Sequence, residues 1–116
     1  MADSPSLGDF EQLILLALVR LGDEAYGVSI HNEIVRRARR DVTVAAVYKT
    51  LERLELKGFA VSTVGEPTAE RGGRRKKHFR IQPSGRRALA QALGSLRRMT
   101  DGLPVDLDAV ADRGDA

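Results

Sequence analysis

The sequence predicts a mainly α-helical domain with a small β-hairpin and one further helix behind it. Three observations lead there. Apolar residues recur at helical spacing in four stretches, over 10–21, 25–39, 44–57 and 83–100. Two short β-rich runs, Phe59-Ala60-Val61-Ser62-Thr63-Val64 and Lys77-His78-Phe79-Arg80-Ile81, flank a segment of Gly, Pro and charge. A length of 116 residues suits one compact domain built on one core.

Asp9 followed three residues later by Gln12 is a capping-box-like start, so the first helix is expected from Phe10 to Leu21, closing at Gly22. Its body, Leu13 to Val19, is apolar around nearly the whole circumference, whereas a helix packed on one side only shows a polar stripe. Such a helix needs neighbours on several sides. In a domain this small, one of them can belong to a second subunit.

The second helix, expected from Ala25 to Arg39, places Tyr26, Ile30, Ile34 and Ala38 along one edge. Arg36, Arg37, Arg39 and Arg40 at its end suit the negative pole of the helix dipole and also lie where phosphate contacts are open to them. Thr43 then caps a third helix, Val44 to Lys57, which stops at Gly58. At 100 degrees per residue, Val47, Leu51 and Leu54 form an inward stripe, while Ala45, Lys49, Glu52, Arg53 and Leu56 point away. That outer face is small near its start and basic further along. Small side chains let a helix approach base edges, Ala and Thr methyls touch thymine methyls, and Lys or Arg donate to guanine or phosphate.

The two β-rich runs pair as a hairpin with Phe79 and Ile81 on one face, and the connecting segment carries Arg71-Gly72-Gly73-Arg74-Arg75-Lys76-Lys77 at its tip. Helix-helix-helix-hairpin is the order of a winged helix-turn-helix, here spanning 10–82. A last helix over 83–100 carries Leu89, Leu93 and Leu96 as a seam for another helix, which marks it as a dimerisation helix. The tail, 101–116, is acidic, holds Gly102 and Pro104, and is expected to be flexible.

Charge is distributed unevenly. The formal net charge is +3, but residues 1–11 hold three acids and no base, and 101–116 hold five acids and one Arg. The middle of the chain therefore carries +10, with 18 basic and 8 acidic residues between 12 and 100. A block of that sign suits a polyanion, although a basic surface kept for solubility would show the same balance.

Several function classes fall away. With no Cys there are no disulfides, thiolate zinc sites or Cys nucleophiles, which fits a reducing compartment. The first residues carry Asp3, Asp9 and Glu11 where a secretory signal carries positive charge, and the longest apolar run, Leu13 to Val19, is far too short for a membrane span. A cytoplasmic protein with no membrane partner is expected. His31 and His78 stand on different elements and no paired carboxylates accompany them, so no catalytic residue, metal ligand or cofactor is expected. Arg71-Gly72-Gly73 lacks the Lys-Ser/Thr and the helix that follow a phosphate-cradling loop.

Specific stretches resemble the PadR family of bacterial winged-helix transcriptional regulators, in its short form with a single C-terminal helix. They are Tyr26-Gly27 opening the second helix, Val47-Tyr48, Leu51, Arg53-Leu54 and Lys57-Gly58 in the third, and Arg75-Lys76-Lys77-His78-Phe79-Arg80-Ile81 leading to Gly85-Arg86. Together they cover residues 10–100 in the family's order. Two positions depart: His78-Phe79 stands where the family usually has two Tyr, and Gln82 where a Thr often caps the last helix.

The resemblance implies a homodimer joined through its C-terminal helices, with each third helix entering the major groove of a palindromic operator, and repression as the usual mode. It places Tyr48 and Lys49 on DNA and Arg74, Arg75, Lys76 and Lys77 on the backbone beside the wing. The helix pattern adds Thr43, Ala45, Ala46 and Arg53 to the DNA face, with Ala45, Ala46, Lys49 and Arg53 expected to choose sequence. Leu13, Leu16, Leu89, Leu93 and Leu96 are expected at the dimer interface. Family members often respond to small aromatic compounds, but no aromatic residue follows Phe79, which leaves the vicinity of Phe10 and Tyr26 for a small-molecule effector. The alternative is a winged-helix module whose basic wing binds an acidic protein.

Overall fold

Helix α1, Asp9–Leu21, begins one residue earlier than the sequence predicts, because Gly8 and not Asp9 occupies the cap position. Glu11, rather than Gln12, reaches back to accept from the Gly8 amide at 2.8 Å. The computed structural model describes residues 6–65, 76–104 and 106–108. Along α1, Ile14, Leu15, Ala17 and Leu18 are buried, while Leu13 and Leu16 pack against the same core from its edge.

A short 3₁₀ turn, Gly22–Glu24, leads to α2, Gly27–Glu33, which is continued by a single π turn over Ile34–Ala38. The helix expected from Ala25 thus starts two residues later. Ala25 and Tyr26 are extended instead, and the Ala25 carbonyl accepts from the Phe79 amide at 2.9 Å, so this segment makes a single bridge to β2 at the edge of the hairpin. Ser29 stabilises the start of α2 by accepting from the Tyr26 amide at 3.0 Å and donating to the Glu24 carbonyl at 2.5 Å. The edge predicted for this helix is present: Ile30 and Ile34 are buried, and Tyr26 and Ala38 are half-buried.

Helix α3, Val44–Leu56, is capped as its sequence predicts, with the Thr43 hydroxyl accepting from the Ala46 amide at 3.0 Å. A cap of this kind contributes about 1 kcal/mol. Val47, Leu51 and Leu54 are fully buried against α1 and α2. Gly58, at φ 79°, stops the helix in the left-handed region that favours glycine.

Strands β1, Ala60–Val64, and β2, Lys77–Ile81, pair antiparallel in the register Ala60 to Ile81, Ser62 to Phe79 and Val64 to Lys77. Phe79 and Ile81 face the core, as the alternation predicts. Of the expected hairpin tip, residues 71–75, with the candidate DNA contacts Arg74 and Arg75, lie outside the described residues.

Helix α4, Pro83–Thr100, starts without a side-chain cap at Gln82, the position where a Thr would have supplied one. Backbone and packing fix its start instead. The Gln82 amide donates to the Phe59 carbonyl at 2.8 Å, the Ser84 hydroxyl donates to the Gly58 carbonyl at 2.7 Å, and Gly85 lies so close to Phe59 that a β-carbon there would collide with its carbonyl oxygen.

One apolar cluster unites these elements, running from Ile14 and Leu15 through Ile30, Val47, Leu51 and Leu54 to Phe79, Ile81 and Leu89. Leu89, expected on the seam of α4, therefore sits in the core of the domain, and Leu93 packs partly against that core. From Ser95 onward α4 is exposed along its whole circumference, with Leu96 at 55% and Met99 at 77%. No helix of the described residues is long and apolar enough to cross a membrane.

Candidate nucleic-acid interface

The outward face of α3 is open. Thr43, Ala45 and Lys49 are exposed and Ala46 is half-buried, so the small start and basic continuation of the helix stand where its periodicity places them. Tyr48 divides its surface. Its ring meets Phe79 edge-on at 6.4 Å and lies against Gly27, yet 42% of the residue remains accessible. It is a packing residue joining α3 to α2 and the hairpin that still keeps part of its surface open on the flank of α3.

The hairpin places cations beside that helix. Lys77 Nζ lies 5.7 Å from the Phe79 ring centroid, and Phe79 is the ring that Tyr48 touches from α3. Lys76 Nζ stands 4.4 Å from the centre of the Tyr26 ring, and Tyr26 in turn meets His78 edge-on at 5.7 Å. Cation–ring contacts at such exposed sites are worth about 0.5–1 kcal/mol. They set the direction of flexible lysines without neutralising them. Lys49, Lys76 and Lys77 have no ion-pair partner among the described residues.

Arg53 behaves differently from the expectation of a free outward cation. Its Nε donates to Glu11 Oε2 at 3.3 Å, and Lys57 Nζ donates to both oxygens of the same carboxylate at 2.8 and 2.9 Å. Glu11 is 4% exposed. Burial works to raise its pKa, but the Lys57 ammonium, the Gly8 amide and Arg53 together outweigh that effect and hold the carboxyl below its ordinary value. No sequence pattern announced this cluster, because Glu11 and Arg53 are 42 residues apart.

A second buried carboxylate organises the arginines at the end of α2. Glu33 accepts from Arg20 Nε at 3.0 Å, Arg36 Nη2 at 3.0 Å and Arg37 Nε at 2.8 Å. Arg37 foremost, against the cost of burial and with help from Arg20, holds its carboxyl below the usual range. Arg40 pairs with Asp9 at 3.2 Å. Arg36, Arg37 and Arg40 are thus engaged with acids as well as with the dipole.

Glu33, Arg20 and Arg37 rim an open apolar groove of about 480 Å³ whose floor includes Leu13, Leu16, Ile34 and Ala38. A smaller groove of about 220 Å³ lies between Asp23 and the hairpin residues Thr63, His78 and Arg80. Phe10 and Tyr26, between which an effector site was expected, line neither groove. Phe10 lies beside Arg40 at the start of α1, whereas Tyr26 lies against Lys76 and His78 of the hairpin.

Solved structures of similar architecture include PadR family regulators. A transcriptional regulator from Clostridium thermocellum is 26% identical, with a TM-score of 0.64 over 78% of this chain and 82% of its own. A PadR family transcription regulator from Clostridium difficile is 19% identical, with a TM-score of 0.64 over 78% of this chain and 91% of its own. A PadR-like transcriptional regulator from Bacillus cereus is 20% identical, with a TM-score of 0.63 over 81% of this chain and 89% of its own. No curated protein sequence gives a significant match. The model of the PadR-like transcriptional regulator family matches residues 15–91, from the body of α1 through the hairpin and into α4. That match covers more than half of the chain, and with the winged-helix architecture it makes this protein a member of the PadR-like family of transcriptional regulators.

Proposed function

We propose that the protein is a cytoplasmic repressor that binds a palindromic operator as a homodimer, with α3 in the major groove and the wing on the adjoining backbone. The observation that carries this reading is the Phe79 ring, which Tyr48 of α3 and Lys77 of β2 both approach. It places the base of the basic wing directly beside the helix whose outer face is small and basic. Thr43, Ala45, Ala46, Tyr48, Lys49 and Arg53 form the base-facing set. Lys76 and Lys77, with Arg74 and Arg75 beyond the described residues, supply phosphate contacts. Phosphate contacts fix register and affinity, whereas contacts to base edges carry sequence information.

The dimer is supported by the end of α4, where Leu96 and Met99 project without cover, and by the apolar groove at Leu13 and Leu16 on α1. Exposed apolar side chains of this size on a projecting helix mark an association surface. Two such protomers present two α3 helices, and a two-fold reader requires a two-fold site.

An electrophoretic shift on the promoter region of the protein's own gene, repeated across salt concentrations, tests the proposal. Specific binding should exceed that to random duplex, and affinity should fall with salt by about 0.9 in log-log slope for each phosphate contacted. If no duplex from that region competes better than random DNA, the regulator reading fails in favour of a module that binds an acidic protein through its wing.

A further inference from the structure

We propose that Glu11 on α1 is the positioning residue for Arg53, setting that guanidinium for contact with operator DNA. The proposal rests on the reading of α3 as the recognition helix. Arg53 bridges two environments: its side chain is 53% exposed, while the carboxylate it touches is 6% exposed. Glu11 engages the Nε edge at 3.3 Å, and the hydroxyl of buried Thr50 lies 3.4 Å from Nη2. A guanidinium has five N–H donors, so held at this edge it keeps donors over for a guanine edge or a phosphate.

The carboxylate itself is rigidly fixed. Lys57 Nζ holds both of its oxygens and also donates to the Ser6 carbonyl at 2.9 Å, and the Gly8 amide holds Oε1 at 2.8 Å. One acid facing two cations leaves a local charge of +1, which still attracts DNA. An arginine ordered in advance loses less conformational freedom on binding and accepts fewer misplaced partners. The consequence is a contribution to discrimination more than to affinity.

The variant Glu11→Gln removes the charge and keeps the shape. Its operator is taken as the duplex that the wild-type protein enriches from a randomised pool. We expect the preference for that duplex over random DNA to drop by about tenfold, the scale of one well-placed base contact, while affinity for random DNA stays level or rises. Arg53→Ala should lose the same preference, and the double variant should lose no more than either. Lys57→Met loosens the carboxylate but leaves it facing Arg53, and should lower thermal stability with a smaller loss of preference than Glu11→Gln. In the free protein, the Arg53 Nε–H resonance should be protected from solvent exchange in the wild type and lose that protection in Glu11→Gln.

Additive losses in the double variant, a loss in Lys57→Met as large as in Glu11→Gln, or an Arg53 resonance indifferent to Glu11→Gln would each overturn the inference. A wild-type protein that prefers no duplex overturns the regulator reading and with it the task of Arg53, and the resonance still reports separately whether Glu11 holds the side chain.

Discussion

The Tyr48 ring of α3 rests on the α-carbon of Gly27 at the start of α2, so closely that a β-carbon at position 27 would occupy the place of the phenol. Gly27 has no positive φ, so its backbone conformation would accept any residue. Contact between the two helices, and not the backbone, is what requires glycine there.

Gly27→Ala should therefore destabilise the fold by about 1–3 kcal/mol, the usual cost of forcing extra volume into a packed contact. In a Tyr48→Ala background the same change should be close to neutral, since the three atoms nearest to that β-carbon all belong to Tyr48. Urea unfolding of the four proteins checks this. Equal costs in both backgrounds would show that Tyr48 is not the reason for the glycine.

Stability should decline in acid with a defined origin. Glu11 and Glu33 both have folded-state pKa values below the ordinary glutamate value. Their contribution is fully present above the unfolded pKa of about 4.3, and is lost as the pH falls through the lower, folded value. Melting temperature measured from neutral pH downward should drop in that window. Glu11→Gln and Glu33→Gln should each start lower at neutral pH and show a flatter acid limb.

The two lysine classes should separate in binding assays. Lys49→Ala, on the outer face of α3, should reduce the preference for operator over random duplex. Lys76→Ala, on the wing, should weaken binding to both and lower the log-log salt slope by about 0.9. Indistinguishable effects from the two substitutions would sink the division of labour between helix and wing.

Leu96→Asp offers a cleaner test of the dimer than Leu93→Asp. Leu93 packs partly against its own protomer, so a carboxylate there disturbs the fold as well as the seam, whereas Leu96 is more than half exposed. Light scattering should give a dimer for the wild type and a folded monomer for Leu96→Asp. A monomeric wild type at high concentration would refute the assembly.

The local elements were legible because their signals are short in range. Thr43 and Gly58 bound α3, the alternation at Phe79 and Ile81 marks β2, and Pro83 opens α4, each through conformational preferences acting within a few residues. The small and basic outer face of α3 followed from the same periodicity, and so did the family resemblance carried by Tyr48 to Gly58 and by the wing strand. Sequence by itself thus determined the kind of protein this is, a winged helix with a cationic face.

Tertiary structure decided which side chains are available. Leu89 and Leu96 share one periodic seam, yet the path of α4 off the domain buries the first and leaves the second bare. Arg53 and Lys49 share one outer face, yet only Arg53 meets a carboxylate, because α1 brings Glu11 to it from 42 residues away. Ala25 and Tyr26 read as the start of a helix, yet pairing with His78 and Phe79 draws them into an extended edge. In each case a contact between residues distant in sequence outweighs the local preference. Periodicity specifies a face, and only the partner packed against it specifies what that face is free to do.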